Sequence, residues 1–135
     1  MEKKKDVNKN TAEIEQGYID PDELEIAKQD AAENADGIYV HEFRKPFMYD
    51  GKEYKKLTFE FDDLTGGDTL AIERELTRKG ITVIVPEFNG DYLAAMASRA
   101  CTDEIGTDAF EHMSLRDFNA IRTAGRRFLL NLEQS

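Results

Sequence analysis

The sequence predicts an α+β domain: an N-terminal β-hairpin, with room for a third short strand, packed on about three α-helices behind a disordered acidic tail. Three observations carry this expectation. Residues 37–61 alternate apolar and polar side chains on either side of an Asp50-Gly51 pair, the signal of a tight hairpin. Three later stretches repeat apolar residues at helical spacing behind capping residues. The first 36 residues contain no Phe and carry eleven acidic residues against five lysines, a net charge of −6.

The chain divides accordingly into a tail, 1–36, and a globular domain, 37–135. In the tail the few large apolar residues are scattered, so burial cannot offset the entropy of ordering it. One stretch, DPDELEIAKQDAAENA, could form a short helix, with Asp20 as N-cap and Pro21 at the first helical position. The domain opens with GIYVHEFRKPFMYDGKEYKKLTFEF. Pairing Tyr49 with Lys52 across the turn places Phe47 opposite Tyr54 and Arg44 opposite Leu57. One face then shows Val40, Met48, Leu57, Phe59 and Phe61, and the other shows Tyr39, Phe43, Phe47 and Tyr54. Pro46 marks an edge or an irregularity in the first strand.

DTLAIERELTRKG reads as a helix of about three turns ended by Gly80. ITVIVPEFNG is β-prone but stopped by Pro86, hence an extended loop or a short strand. DYLAAMASRACTDE is a second helix, with Asp91 as cap and Leu93, Met96, Ala97, Ala100 and Cys101 on one face. IGTDAFEHM is a turn region. The last helix begins at Ser114 with Asp117 in the capping-box position, and Leu115, Phe118, Ile121, Phe128, Leu129 and Leu132 form its apolar stripe.

The net charge of −10 argues against nucleic acid and anionic membranes as partners, since both are bound through Lys and Arg. One cysteine excludes an internal disulfide framework and fits a reducing, cytoplasmic compartment. No apolar run reaches the roughly 18 residues of a membrane span. The stretch FDDLTGGDTL concentrates three aspartates around two glycines, which invites a metal or phosphate site. It lacks the alternating ligands and terminal Glu of an EF-hand, and the Lys-Ser/Thr of a P-loop. The simpler account is structural: Thr65, Gly66, Gly67 and Asp68 join a strand to a helix, with Thr65 or Asp68 as the cap. His41 and His112 have no metal-spaced partners and read as surface or edge residues. Cys101 reads as core, and Arg122, Arg126 and Arg127 as a cationic face near the end of the last helix. No catalytic, metal or cofactor residue is therefore expected. Tyr39, Phe43, Phe47 and Tyr54, gathered on the second face of the ribbon, are the candidate protein interface.

The Pro-Phe strand, the DGKEYKKLTF hairpin, the LTGGD junction and the final MSLRDFNAIRTAGRRFLL unit occur together, in this order. In this the chain resembles the small tail assembly chaperones of tailed phages and prophages, in particular Mu-like and related contractile-tailed phages. The resemblance covers about residues 44–132; the long tail and GITVIVPEF depart from it. It implies a non-enzymatic protein without cofactor that binds the tape measure protein and keeps it soluble until the tail tube polymerises. It further implies self-association, a partner in a longer form of the same protein made by ribosomal frameshift, and action in the host cytoplasm rather than in the mature virion. Two other readings predict different behaviour. An acidic inhibitor that mimics DNA would bind a basic partner in a salt-sensitive way. A small hydrolase using Asp62, Asp63 and Asp68 with a metal would gain thermal stability from the ion.

Overall fold

The computed structural model describes residues 20–26 and 37–133. The expected disorder of the tail falls on residues outside this description, except that 21–26 are helical. Asp20 caps that turn as expected, its carboxylate accepting from the backbone N–H groups of Asp22 and Glu23, both at 3.1 Å.

The architecture is α+β: a two-stranded antiparallel hairpin followed by helices. Strands β1 (Ile38–Tyr49) and β2 (Lys52–Glu60) meet at Asp50 and Gly51, whose φ angles of 51° and 79° are the two positive values a type I′ turn demands. Near the turn the pairs are those expected, Tyr49 with Lys52 and Phe47 with Tyr54. Beyond them the register shifts. Phe43, Arg44, Lys45 and Pro46 oppose Lys55 alone, and pairing resumes at Glu42 with Lys56 and His41 with Leu57. Pro46 has no N–H to give a ladder, so the irregularity sits where pairing is weakest.

This shift corrects the expected faces. Cross-strand partners share a face, so Leu57 opposite Arg44 would join the even-numbered side of β1. Opposite His41 it joins the odd-numbered side, with Tyr39, Phe43 and Phe47. That side packs on the helices: Phe47 is buried, and Tyr39, Phe43 and Tyr54 are half-buried against the core. The even-numbered side faces solvent, with Ile38, Val40 and Met48 exposed by 53%, 45% and 60%. The ribbon has one core face, as an antiparallel sheet commonly does.

A 3₁₀ turn, Phe61–Asp63, leads to α1 (Gly66–Arg78). The segment after α1 forms no strand; it carries only the 3₁₀ turn Pro86–Phe88. Helix α2 (Gly90–Ala100) is capped by Asn89, which accepts from Tyr92 N–H at 2.8 Å, and not by Asp91 as expected. Asp91 lies inside the first turn, where its charge suits the helix dipole. Cys101 does not continue the helix. It turns extended and bridges Phe59, while Thr102 N–H donates to the Thr58 carbonyl at 2.9 Å. That single bridge is as near as the described residues come to a third strand. Within the expected turn region lies α3 (Asp108–Glu111), and α4 (Leu115–Glu133) closes the fold.

The core is aromatic at its centre. Phe59 stacks on Phe61 at 6.1 Å, Phe61 on Phe128 at 5.7 Å, and Phe110 meets Phe118 at 5.7 Å. Helices α2 and α4 cross at Gly125, where an added Cβ would stand 3.0 Å from the Met96 methyl. This close crossing rotates the buried face of α4 onto Ile121, Ala124, Gly125 and Leu130. Leu115 and Leu132, expected in the stripe, are left 77% and 51% exposed.

Candidate functional site

A groove of about 630 Å³ lies between α1, α2 and the α3–α4 corner. Local sequence signals place each wall. Thr65 and Asp68 form a complete capping box that starts α1: the Thr65 hydroxyl accepts from Asp68 N–H, and the Asp68 carboxylate accepts from Thr65 N–H at 2.8 Å. Gly80, at φ 79°, ends it in a Schellman motif. Gly80 N–H reaches the Thr77 carbonyl at 2.9 Å and Ile81 N–H the Leu76 carbonyl at 2.8 Å, which folds Ile81 back beside Leu76. These two side chains make one wall, and Ala94 and Ala95 of α2 keep the floor low.

The third wall is Phe110, Met113 and Phe118. The hairpin tip holds it in place: Tyr49 donates to Asp108 Oδ1 at 2.9 Å and accepts from Gly106 N–H at 3.2 Å. The exposed Leu115 stands at the mouth. Around the rim are Glu75, Asp91 and Glu111 against Lys79. An apolar trough with an acidic rim suits the apolar face of a helix whose flanks are basic.

The four aromatic residues singled out from the sequence are not a free patch. Tyr39, Phe43, Phe47 and Tyr54 lie on the core side of the hairpin, and the register shift described above is the reason. Thr65, Gly66, Gly67 and Asp68 are brought together as the start of α1. Asp68 is fully committed there, because its Oδ1 also accepts from Arg99 Nε at 2.9 Å, tying α1 to α2. Asp62 and Asp63 occupy the 3₁₀ turn before it. Among the described residues no group of three His, Cys, Asp or Glu side chains is placed to hold a metal ion.

The Thr65 N–H, then the Arg99 guanidinium, hold the Asp68 carboxyl below its ordinary value. A depressed carboxyl contributes stability that is present above its unfolded value and lost as pH falls through the folded one. Asp68→Ala is therefore expected to flatten the acid side of the stability profile. Thermal melts between neutral pH and about pH 3 would measure this; an unchanged slope would refute the role given to Asp68.

Sequence reasoning missed a cluster around His41. The ring is buried, and its Nε2–H donates to Asp117 Oδ1 at 2.8 Å. Its Nδ1 is hydrogen-bonded to the Tyr39 hydroxyl, also at 2.8 Å. Asp117 also meets the cap of α4: its Oδ2 accepts from the Ser114 hydroxyl at 2.8 Å, and its N–H donates to Ser114 Oγ at 3.1 Å. Burial pushes the Tyr39 phenol up, so it stays protonated. The row Tyr39–His41–Asp117 thus bolts β1 to the start of α4. No motif announces it, because His41 and Asp117 are 76 residues apart.

Cys101 is half-buried with its thiol pushed up by burial, which favours the inert protonated form. The C-terminal arginines are less solvated than expected. Arg126 donates from Nε to the Glu87 carbonyl at 3.0 Å and lies over the Phe88 ring. Arg122 lies over Phe118 and donates to Asn119 Oδ1 at 2.9 Å.

No helix among the described residues is long and apolar enough to cross a membrane. Comparison of the chain with protein-family models, curated proteins and solved structures gives no match.

Proposed function

We propose that the chain is a non-enzymatic tail assembly chaperone that binds a helical segment of a phage tape measure protein and keeps it soluble during tail assembly. The observation that carries this reading is the groove between α1, α2 and the α3–α4 corner, open to solvent and walled by Leu76, Ile81, Phe110, Met113 and Phe118. A long helical client exposes apolar stripes before the tube encloses it, and a trough of this kind covers one such stripe reversibly. The net charge of −10 keeps the chaperone itself soluble while it does so. Self-association belongs to the same proposal, with the solvent-facing Ile38, Val40 and Met48 as the apolar surface available for it. A longer frameshifted form would share this domain. The site of action is the host cytoplasm, before the virion is complete.

Co-expression with the tape measure protein of the same phage or prophage tests the reading. The client is expected in the soluble fraction and to co-purify with the chain. Ala95→Arg, which sets a charged side chain on the groove floor at a half-buried position, is expected to abolish co-purification while keeping a cooperative melting transition. A client left aggregated by the wild-type chain sinks the proposal, as does an Ala95→Arg variant that still carries it. The alternative reading, an acidic inhibitor of a basic partner, predicts capture that collapses in about 0.5 M salt, whereas apolar burial in the groove survives it.

A further inference from the structure

Arg122 and Arg126 stand one helical turn apart on α4, facing the loop that leads into α2. Both guanidiniums are held by aromatic faces, 5.4 Å from the Phe118 centroid and 4.8 Å from that of Phe88. Arg122 Nη1 approaches to 3.6 Å from where a Cβ on Gly90 would stand. Its Nε is shut off from solvent and has no hydrogen-bond partner among the described residues. Within that set, neither arginine has a carboxylate at ion-pair distance. Two neighbouring cations, partly desolvated and with no carboxylate of the described residues at ion-pair distance, are costly unless an anion closes on them.

We propose that the Arg122–Arg126 pair is a docking site for the acidic N-terminal segment of this same chain, whose Asp22, Glu23 and Glu25 side chains supply the missing counter-charge. The segment suits the role in charge and in form. It is already helical over 21–26, started by the Asp20 cap, and it belongs to a 36-residue stretch with a net charge of −6. Burial and then the Arg122 charge pull Arg126 down from its ordinary value, and Glu23 is the group that pushes it back up, so the two already act on one another. The tether is short. The chain enters β1 at Ile38, and β1 is bolted to α4 through His41 and Asp117. A tether of about ten residues gives an effective concentration on the order of millimolar, enough to hold a weak charge-assisted contact closed. Gly90 and Phe118 border both the arginine pair and the apolar groove, so the docked segment stands at the groove's end.

The test uses the full chain and needs no client, so its outcome is independent of the chaperone reading. The triple variant Asp22→Asn, Glu23→Gln, Glu25→Gln alters only exposed side chains. Side-chain Nε and backbone N–H resonances are compared between wild type and variant. The Nε signals of Arg122 and Arg126 and the amides of Gly90 and Asp91 are expected to shift. Adding about 0.5 M salt to the wild type is expected to produce the same shifts. In Arg122→Gln/Arg126→Gln, the amides of residues 22–26 are expected to lose exchange protection. Arginine signals identical in wild type and triple variant would overturn the proposal. So would shifts that vanish on dilution, since they would place the segment of a second copy there instead.

Discussion

Phe59→Ala is expected to lower the unfolding free energy by about 3–5 kcal/mol, the range for emptying a buried aromatic position. Phe59 is fully buried and touches three parts of the fold: Tyr39 of β1 at 6.3 Å, Phe61 at 6.1 Å and Phe110 of α3 at 6.5 Å. The backbone around it can collapse little, because Phe59 also bridges Cys101 on the other side. Against a total stability of about 5–15 kcal/mol for a domain of this size, such a loss takes between about a fifth and all of the margin. Val40→Ala is the matched control. With Val40 facing solvent opposite Thr58, its loss is expected to stay within about 0.5 kcal/mol. Urea unfolding of the two variants separates the registers, because unshifted pairing would set Val40 and Phe59 on the same face. A large loss at Val40 would reject the shifted one.

Asp117→Ala is expected to cost about 2–4 kcal/mol, through two separate losses. Losing the carboxylate that accepts from the Ser114 hydroxyl at the start of α4 costs about 1 kcal/mol. Leaving the buried His41 Nε2–H without an acceptor costs a further 1–3 kcal/mol or so. Asp117→Asn keeps a carbonyl oxygen for His41 and is expected to retain more than half of the difference. The double-mutant cycle with His41→Leu isolates the second loss. Once the imidazole is gone, Asp117→Ala should cost only the contact with the Ser114 hydroxyl. If the two substitutions are instead additive, the bolt between β1 and α4 contributes nothing, and the position of α4 rests on apolar packing alone.

The features legible in the sequence are those whose cause lies within a few residues. Asp50-Gly51 dictates the turn because both positions need positive φ. Thr65 with Asp68, and Ser114 with Asp117, satisfy free N–H groups at helix starts. The cap of α2 was misplaced by two residues because Asn89 and Asp91 are both competent acceptors. Only the path of the chain out of the Pro86–Phe88 turn selects Asn89. ITVIV has strand propensity, but β2's free edge is met by Cys101 and Thr102, leaving those residues no partner there.

The candidate site was legible only in its parts. Leu76, Phe110 and Phe118 each appear in the sequence as apolar residues of separate elements, and nothing local says that they share a groove. The aromatic residues of β1 alternate cleanly, yet alternation does not state which side of β2 they join. A shift of an odd number of residues at Pro46 reverses the answer.

By itself, then, the amino-acid sequence determined the α+β class, the hairpin turn, the caps of α1 and α4, the end of α1 at Gly80, and the acidic charge of the chain. These depend on backbone hydrogen bonds and φ angles satisfied by near neighbours. Tertiary structure alone decided the face of the hairpin, the His41–Asp117 bolt, the groove and the paired arginines beside α2. Each of these is a meeting of residues far apart in the chain, chosen by which packing buries most apolar surface while still pairing every buried polar group it can.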